Sequence, residues 1–277
     1  MRGSAARGAP DMVGGAPPLA RILAAALCVV VALFMLVPLA VVVASSFSAS
    51  EFLVFPPRGW SLRWYAEIFS SRAYVDAAWF SLRLATVVTL LSVALGAAAA
   101  IAITRHAVPG SEALTGFFLS PLVVPTILLG VGLLMASSRL AGGPGFWTLV
   151  AGHVVVTLPY VVRTVAAVLA RADRSVEEAA RTMGAPWWRR YWHVVLPQAR
   201  PGIAAGAFFA FNVSFDEAVV ALFLRAPGTE TLPLLIYSKL EFSPDPSVAA
   251  AATLMILMTA LLMVALDRAI GLEKVAA

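Results

Sequence analysis

The chain has 277 residues, of which 61% are hydrophobic and 13% charged, against roughly 45–50% and 25% in soluble domains. That balance excludes an ordinary soluble domain and points to a membrane protein. The net charge of +5 then has to be read from how basic residues are distributed around a bilayer.

Residues 1–20, rich in Gly, Ala, Pro and Arg, are expected to form a disordered N-terminal segment. Stretches without Asp, Glu, Lys or Arg follow at Ile22–Ala44, Leu84–Thr104, Ala113–Ser138, Leu140–Val162 and Pro246–Leu266. A sixth, Pro201–Leu224, is interrupted only by Asp216 and Glu217. Each is long enough for the ~20 residues a helix needs to cross the hydrocarbon. An all-α transmembrane domain over 21–270 is therefore expected, with spans near 22–44, 84–104, 115–138, 146–165, 201–224 and 247–268 and a short tail at 271–277. The first run exceeds the roughly 7–15 residues of a secretory signal core, so it is expected to remain as a span. Cys28, the only cysteine, lies inside it, which makes an intrachain disulfide impossible.

Lys and Arg set the orientation, because short loops rich in them stay in the cytoplasm. With the N-terminus inside, thirteen of the 20 fall on the cytoplasmic side and seven outside. Both termini and the segment 171–197 are accordingly expected to face the cytoplasm from a plasma (inner) membrane. The positive charge reflects topology, and a nucleic-acid-binding role is set aside for want of a basic face clear of the bilayer.

The segment 171–197 carries the densest signal. Ser175 and Glu178 have the spacing of a capping box, Gly184 offers a left-handed stop, and Pro186 forbids continuation. An eight-residue helix, Val176 to Met183, is expected, too short to persist alone and so docked on something. Pro186 then opens a second helix, ending before Pro197, whose Trp187, Trp188, Tyr191 and Trp192 share one face. Such a face suits the headgroup level of a bilayer. Arg189 and Arg190 are expected to point away from it, towards anionic lipid or a partner protein.

Within this segment Glu178-Ala179-Ala180, three residues, Gly184, nine residues, then Val194-x-Leu196-Pro197 resembles the EAA loop of permease subunits of binding-protein-dependent ABC importers. Val194 stands where the family usually has Ile. The resemblance implies a type I importer permease bundle of six spans. Its coupling loop, here Glu177, Glu178, Ala179, Ala180, Gly184, Leu196 and Pro197, would sit in a groove of the ATPase. It also implies the partners: a second permease subunit, two ATPase (nucleotide-binding) subunits, an extracytoplasmic solute-binding protein and the lipid bilayer. No cofactor is expected in this chain, with ATP and Mg bound by the partner ATPase subunits. The residues agree, since a P-loop needs a lysine after glycine, whereas Lys239 follows Ser238 and Lys274 follows Glu273.

Outside the loop, Phe55-Pro56-Pro57-x-x-Trp60-Ser61-Leu62-x-Trp64-Tyr65 resembles the first periplasmic loop of polyamine (spermidine/putrescine) importer permeases. Ser214-Phe215-Asp216-Glu217-Ala218-Val219-Val220 and Thr231-Leu232-Pro233-Leu234-x-Ile236-Tyr237-Ser238 resemble the second of that importer's two permeases. Permeases for 2-aminoethylphosphonate, ferric iron, sulfate and molybdate share much of this frame. At a rise of 1.5 Å per residue, Asp216 lies roughly 20 Å up its span, where a carboxylate is costly unless it faces water or is paired. Asp216 and Glu217 are therefore expected to line a path for a cation, or Asp216 to pair with Arg83. Both readings are open on the sequence.

An enzyme would need a nucleophile and base, or a metal cluster, at membrane depth. His106, His153 and His193 sit at no metal-ligand spacing, and no G-x-S-x-G occurs. His153 is expected to be packed and hydrogen-bonded inside its span. A secondary transporter could use intramembrane carboxylates, but the chain shows neither an inverted repeat nor paired broken helices. Gly202-x-x-x-Gly206 permits close helix approach at the foot of the fifth span.

Overall fold

In hydrocarbon an apolar chain satisfies its backbone by coiling into helices, and helices dominate the computed structural model, which describes residues 18–106 and 108–270. The expected disordered segment at 1–20 lies outside the described residues except where Pro18 already begins α1 (Pro18–Ser46), and the tail 271–277 lies outside them altogether. A short α2 (Arg63–Ser70) leads into α3 (Arg72–Arg105), and a five-residue connection into α4 (Ser111–Leu119). Then come α5 (Thr126–Leu140), α6 (Phe146–Arg171) and the small α7 (Ser175–Thr182). The one-turn α8 (Trp187–Arg190) runs through a π-helical turn into α9 (Leu196–Asp216). The chain closes with α10 (Val219–Leu224), α11 (Leu232–Phe242) and α12 (Pro246–Ile270).

Five helices are long and apolar enough to cross a membrane, and six spans result if one bent pair counts as a single crossing. That pair is the third expected span. It is not a straight helix over 115–138 but two pieces, Ser111–Leu122 and Thr126–Leu140, bent by 100°. Pro125 explains the break: it lacks an N–H and pushes Val124 out of the helical region. The fifth span is likewise interrupted. α9 ends at Asp216, Glu217 is extended at ψ 101°, and α10 starts afresh at Val219. The second span starts at Arg72 rather than near residue 84, because the helix continues beyond its charge-free stretch.

The centre of the bundle is α3, α6 and α9. Ala97, Ala100 and Ile101 of α3 pack with Val161, Val162, Val165 and Leu169 of α6 and with Ala199 and Ala210 of α9. Lipid tails are as apolar as these side chains, so close van der Waals fit has to hold the helices together. Glycine supplies the fit. A Cβ on Gly202 would come within 2.9 Å of the Thr164 carbonyl, and one on Gly206 within 2.8 Å of Thr164 Oγ1. Two buried polar pairs fix the register: Ser92 Oγ to Thr157 Oγ1 at 2.7 Å, and His153 Nδ1 to Ser214 Oγ at 3.1 Å. His153 is thus the packed, hydrogen-bonded residue the sequence suggested, fully buried between α6 and α9.

The interruption at 217–218 lets α10 fold back against α5 and α6. Phe223 fills the notch at Gly130, and Val220 with Leu224 fills the one at Gly152. α1 lies along α12, with none of its most apolar stretch buried. At the end of the bundle opposite α7, Trp64 donates its Nε1–H to the Ser48 carbonyl (2.8 Å), and Tyr65 bonds Ser46 (2.7 Å). Tyr74 bonds Ser247 at 2.7 Å, and Ser81 accepts the Leu232 amide at 2.8 Å, tying α3 to α12 and to the start of α11.

Candidate functional site

α7 begins one residue earlier than expected, and a capping box is not what starts it. Asp173 accepts both the Ser175 amide and the Ser175 hydroxyl, each at 2.8 Å. Those bonds, the backbone one first, hold the exposed Asp173 carboxyl below its usual range. With Asp173 two residues upstream occupying the Ser175 hydroxyl, the Ser175–Glu178 pairing has no role. The other end is as expected. Gly184 has φ +79°, its amide bonds the Arg181 carbonyl, and the Ala185 amide reaches back to Ala180. This is a Schellman stop, in which glycine tolerates the left-handed turn.

α7 buries none of its residues in the chain. Polar contacts latch it to the bundle instead. Arg174 donates to the Thr104 carbonyl at 2.7 Å, covering an unpaired carbonyl at the end of α3. Arg105 Nε lies 3.7 Å from Glu177 Oε2, and its side chain is only 3% exposed. Gln198 bridges the two sides, accepting from Arg105 Nη2 at 3.0 Å and donating to the Asp173 carbonyl at 3.3 Å. The adjacent glutamates therefore differ: Glu177 faces Arg105, while Glu178 is exposed. Ala179 and Val176 are exposed along the outer side of α7, followed by Met183, and Ala180 is half-buried. In sequence Arg174 and Arg105 register only as loop charges, and Gln198 has no motif role; nothing but the fold brings them together.

The aromatic helix does not stop before Pro197. A π turn over Tyr191–Val195, closed by the Leu196 amide on the Tyr191 carbonyl, carries it into α9, and Pro197 sits in the first turn of that helix. Its missing N–H costs little there. Trp187, Trp188 and Trp192 are exposed as expected. The two arginines divide. The Arg189 guanidinium lies over the Trp188 ring at 5.2 Å rather than away from the aromatic face, and Arg190 turns towards Arg105 and α7.

Near the far end of α9 is a cleft of about 530 Å³ between α1, α9 and α12. Asp216, Glu217, Asn212 and Thr259 supply its polar groups, and Leu39, Phe215, Met255 and Ile256 its apolar walls. Asp216 is exposed to it. Asn212 gives its Nδ2–H to the Phe208 carbonyl at 2.9 Å, leaving a buried Oδ1 without a partner. Glu217 is partly committed elsewhere, since its Oε1 accepts the Val219 and Val220 amides at 2.8 and 3.1 Å and so caps α10. The Asp216–Arg83 pair is absent from the ion pairs of the described residues. The Arg83 guanidinium instead lies 4.9 Å above the Phe146 ring. Carboxylates set among apolar walls can take an alkyl chain bearing a cation.

Residues 92–272 match the family of binding-protein-dependent transport system inner membrane components. The chain belongs to that family and is a multi-pass permease subunit of an ABC importer. It is similar to the putrescine transport system permease protein PotI of Escherichia coli (strain K12), at 34% identity over 80% of this chain and 82% of that protein. The spermidine/putrescine transport system permease protein PotC of the same strain is 30% identical, over 84% of this chain and 88% of that one. Among solved structures, a bacterial alginate ABC transporter in complex with an alginate pentasaccharide-bound periplasmic protein shares the fold. Its TM-score is 0.68 at 13% identity, over 90% of this chain and 93% of that one.

Proposed function

We propose that this permease moves a polyamine, putrescine or spermidine, across the inner membrane, and that the cleft at Asp216 is part of its path. The observation that carries this reading is the pairing of acidic groups with apolar walls in one cleft. A polyamine alternates ammonium groups with methylenes, so the exposed Asp216 suits a cation while Met255, Ile256 and Phe215 suit the chain beside it. The similarity to polyamine permeases supports the same substrate class.

In this reading both termini and α7 face the cytoplasm, and an extracytoplasmic binding protein delivers substrate to the end formed by α2 and α11. A second permease subunit completes the path. The exposed side of α7, with Glu178, Ala179 and Met183, docks in a groove of the ATPase, which binds ATP and Mg. Closure of two ATPase subunits pulls α7, and the latch of Arg105, Glu177, Arg174 and Gln198 passes that pull to α3 and α9. Leu196 and Pro197 lie at the elbow where the loop becomes α9.

The test is uptake by the intact importer, reconstituted with its ATPase and binding protein. ATP-dependent accumulation of labelled putrescine or spermidine is expected. Accumulation of sulfate or ferric iron with no polyamine uptake would overturn the substrate assignment while leaving the permease class intact.

A further inference from the structure

Beside α7 lies a second cleft, about 160 Å³, lined by Arg105, Arg174, Arg181, Arg190, Glu177 and Glu178. Four guanidinium groups face two carboxylates, and of the two only Glu177 is within ion-pair distance of an arginine, Arg105. Three donors are buried here without a hydrogen-bond partner: Arg105 Nε and Nη1, on a side chain 3% exposed, and Arg190 Nε. Buried polar groups are almost always partnered, and four guanidinium groups against two carboxylates leave the cleft with excess positive charge. Water could accept these bonds but would leave the excess charge in place. Arginine forks match the oxygens of a phosphate in geometry as well as in charge.

We propose that this cleft is an anion site that takes a single phosphate group, bridging the end of α3 (Arg105) to α7 (Arg174, Arg181) and α8 (Arg190). So bridged, the short helix is held to the bundle by the anion as well as by its own polar latch, and the occupancy of the site sets how firmly. The exposed Trp187, Trp188 and Trp192 next to the cleft are of the kind that settles at headgroup depth. The phosphate can therefore belong to an anionic lipid headgroup or to a free phosphate from solution; the recognition chemistry is the same.

The test uses the full-length chain and does not depend on transport or on the substrate. In phosphate-free non-ionic detergent, inorganic phosphate is titrated at constant ionic strength against chloride while the unfolding temperature and the hydrogen exchange of the α7 amides are followed. A saturable rise in unfolding temperature with slower α7 exchange is expected. Arg181→Gln should weaken the response about tenfold or more, as expected when one charge-assisted bond is lost, while Arg189→Gln should leave it intact. Arg105→Gln also removes the Glu177 and Gln198 contacts, so the exposed Arg181 is the deciding position. The source is read in nanodiscs. Protection of α7 in phosphatidylglycerol without added phosphate assigns a lipid headgroup; protection in phosphatidylcholine only after phosphate is added assigns the free anion. No saturable response in either medium, or an undiminished one in Arg181→Gln, overturns the site. So does loss of ATPase co-purification in Arg181→Gln with no phosphate response, which would give the cleft to an acidic side chain of a partner protein.

Discussion

Asp216 and Glu217 are neighbours in sequence with different positions in the molecule. Asp216 is open to the cleft and has no ion pair among the described residues, so Asp216→Asn removes a charge while stranding no buried partner there. Normal membrane abundance is expected, with polyamine uptake reduced about tenfold or more if an ammonium–carboxylate bond worth roughly 1.5–3 kcal/mol is lost. Normal abundance with normal uptake would remove Asp216 from the path. Glu217→Ala should behave otherwise. It leaves the Val219 and Val220 amides uncapped, a loss of about 1 kcal/mol on the scale of helix caps, and a lower unfolding temperature is the measurement that checks it. The sequence offered Arg83 as a partner because both residues sit at similar depth. Depth is legible from span length, but direction around a helix depends on neighbours, and Phe146 took the guanidinium instead.

Among the helices, glycine has two uses that a pair of substitutions can separate. At Gly184 a Cβ would meet nothing within 4 Å, so the constraint is the positive φ alone; valine there is strained by about 1–2 kcal/mol or more. Gly184→Val should insert and fold normally, because α7 contributes nothing to the buried core. It should lose co-purification with the ATPase, or the stimulation of ATP hydrolysis by substrate, and normal behaviour in both would sink the coupling assignment. At Gly206 the backbone is helical and the constraint is space, since a Cβ would lie 3.0 Å from Val161 Cα. Gly206→Leu should lower abundance and thermal stability by overpacking, typically about 1–3 kcal/mol or more, whatever the ATPase does. The spacing of Gly202 and Gly206 announced a close approach, and α6 is the helix that makes it. The stop at Gly184 was readable because a Schellman turn closes within a few residues. The start of α7 was misread because the Ser175–Glu178 spacing suggested a capping box, whereas Asp173 takes both the Ser175 amide and its hydroxyl.

For the whole molecule, the energy source distinguishes the two transporter classes. An ABC permease should import only with its ATPase present, and uptake should persist when the proton gradient is collapsed while ATP is maintained. Accumulation by the reconstituted chain alone, driven by a proton or sodium gradient, would favour an ion-coupled carrier. The two interrupted spans do not argue for the carrier. One break follows from Pro125, and the other seats α10 against the Gly130 and Gly152 notches.

The class of protein, the approximate positions of the long apolar helices and the glycine stop that ends α7 were legible in the sequence alone. Each rests on something local: charge-free length, a glycine stop, or an ordered motif. What only the tertiary structure decided was everything that needs two distant segments to meet. Arg105 found Glu177 and Gln198, Glu217 was diverted to cap α10, Arg189 and Arg190 parted company, and the third span bent. Hydropathy has no angular information in a helix that is apolar all round, so the faces of the spans, and with them the cleft and the latch, were set by how closely neighbouring helices could pack.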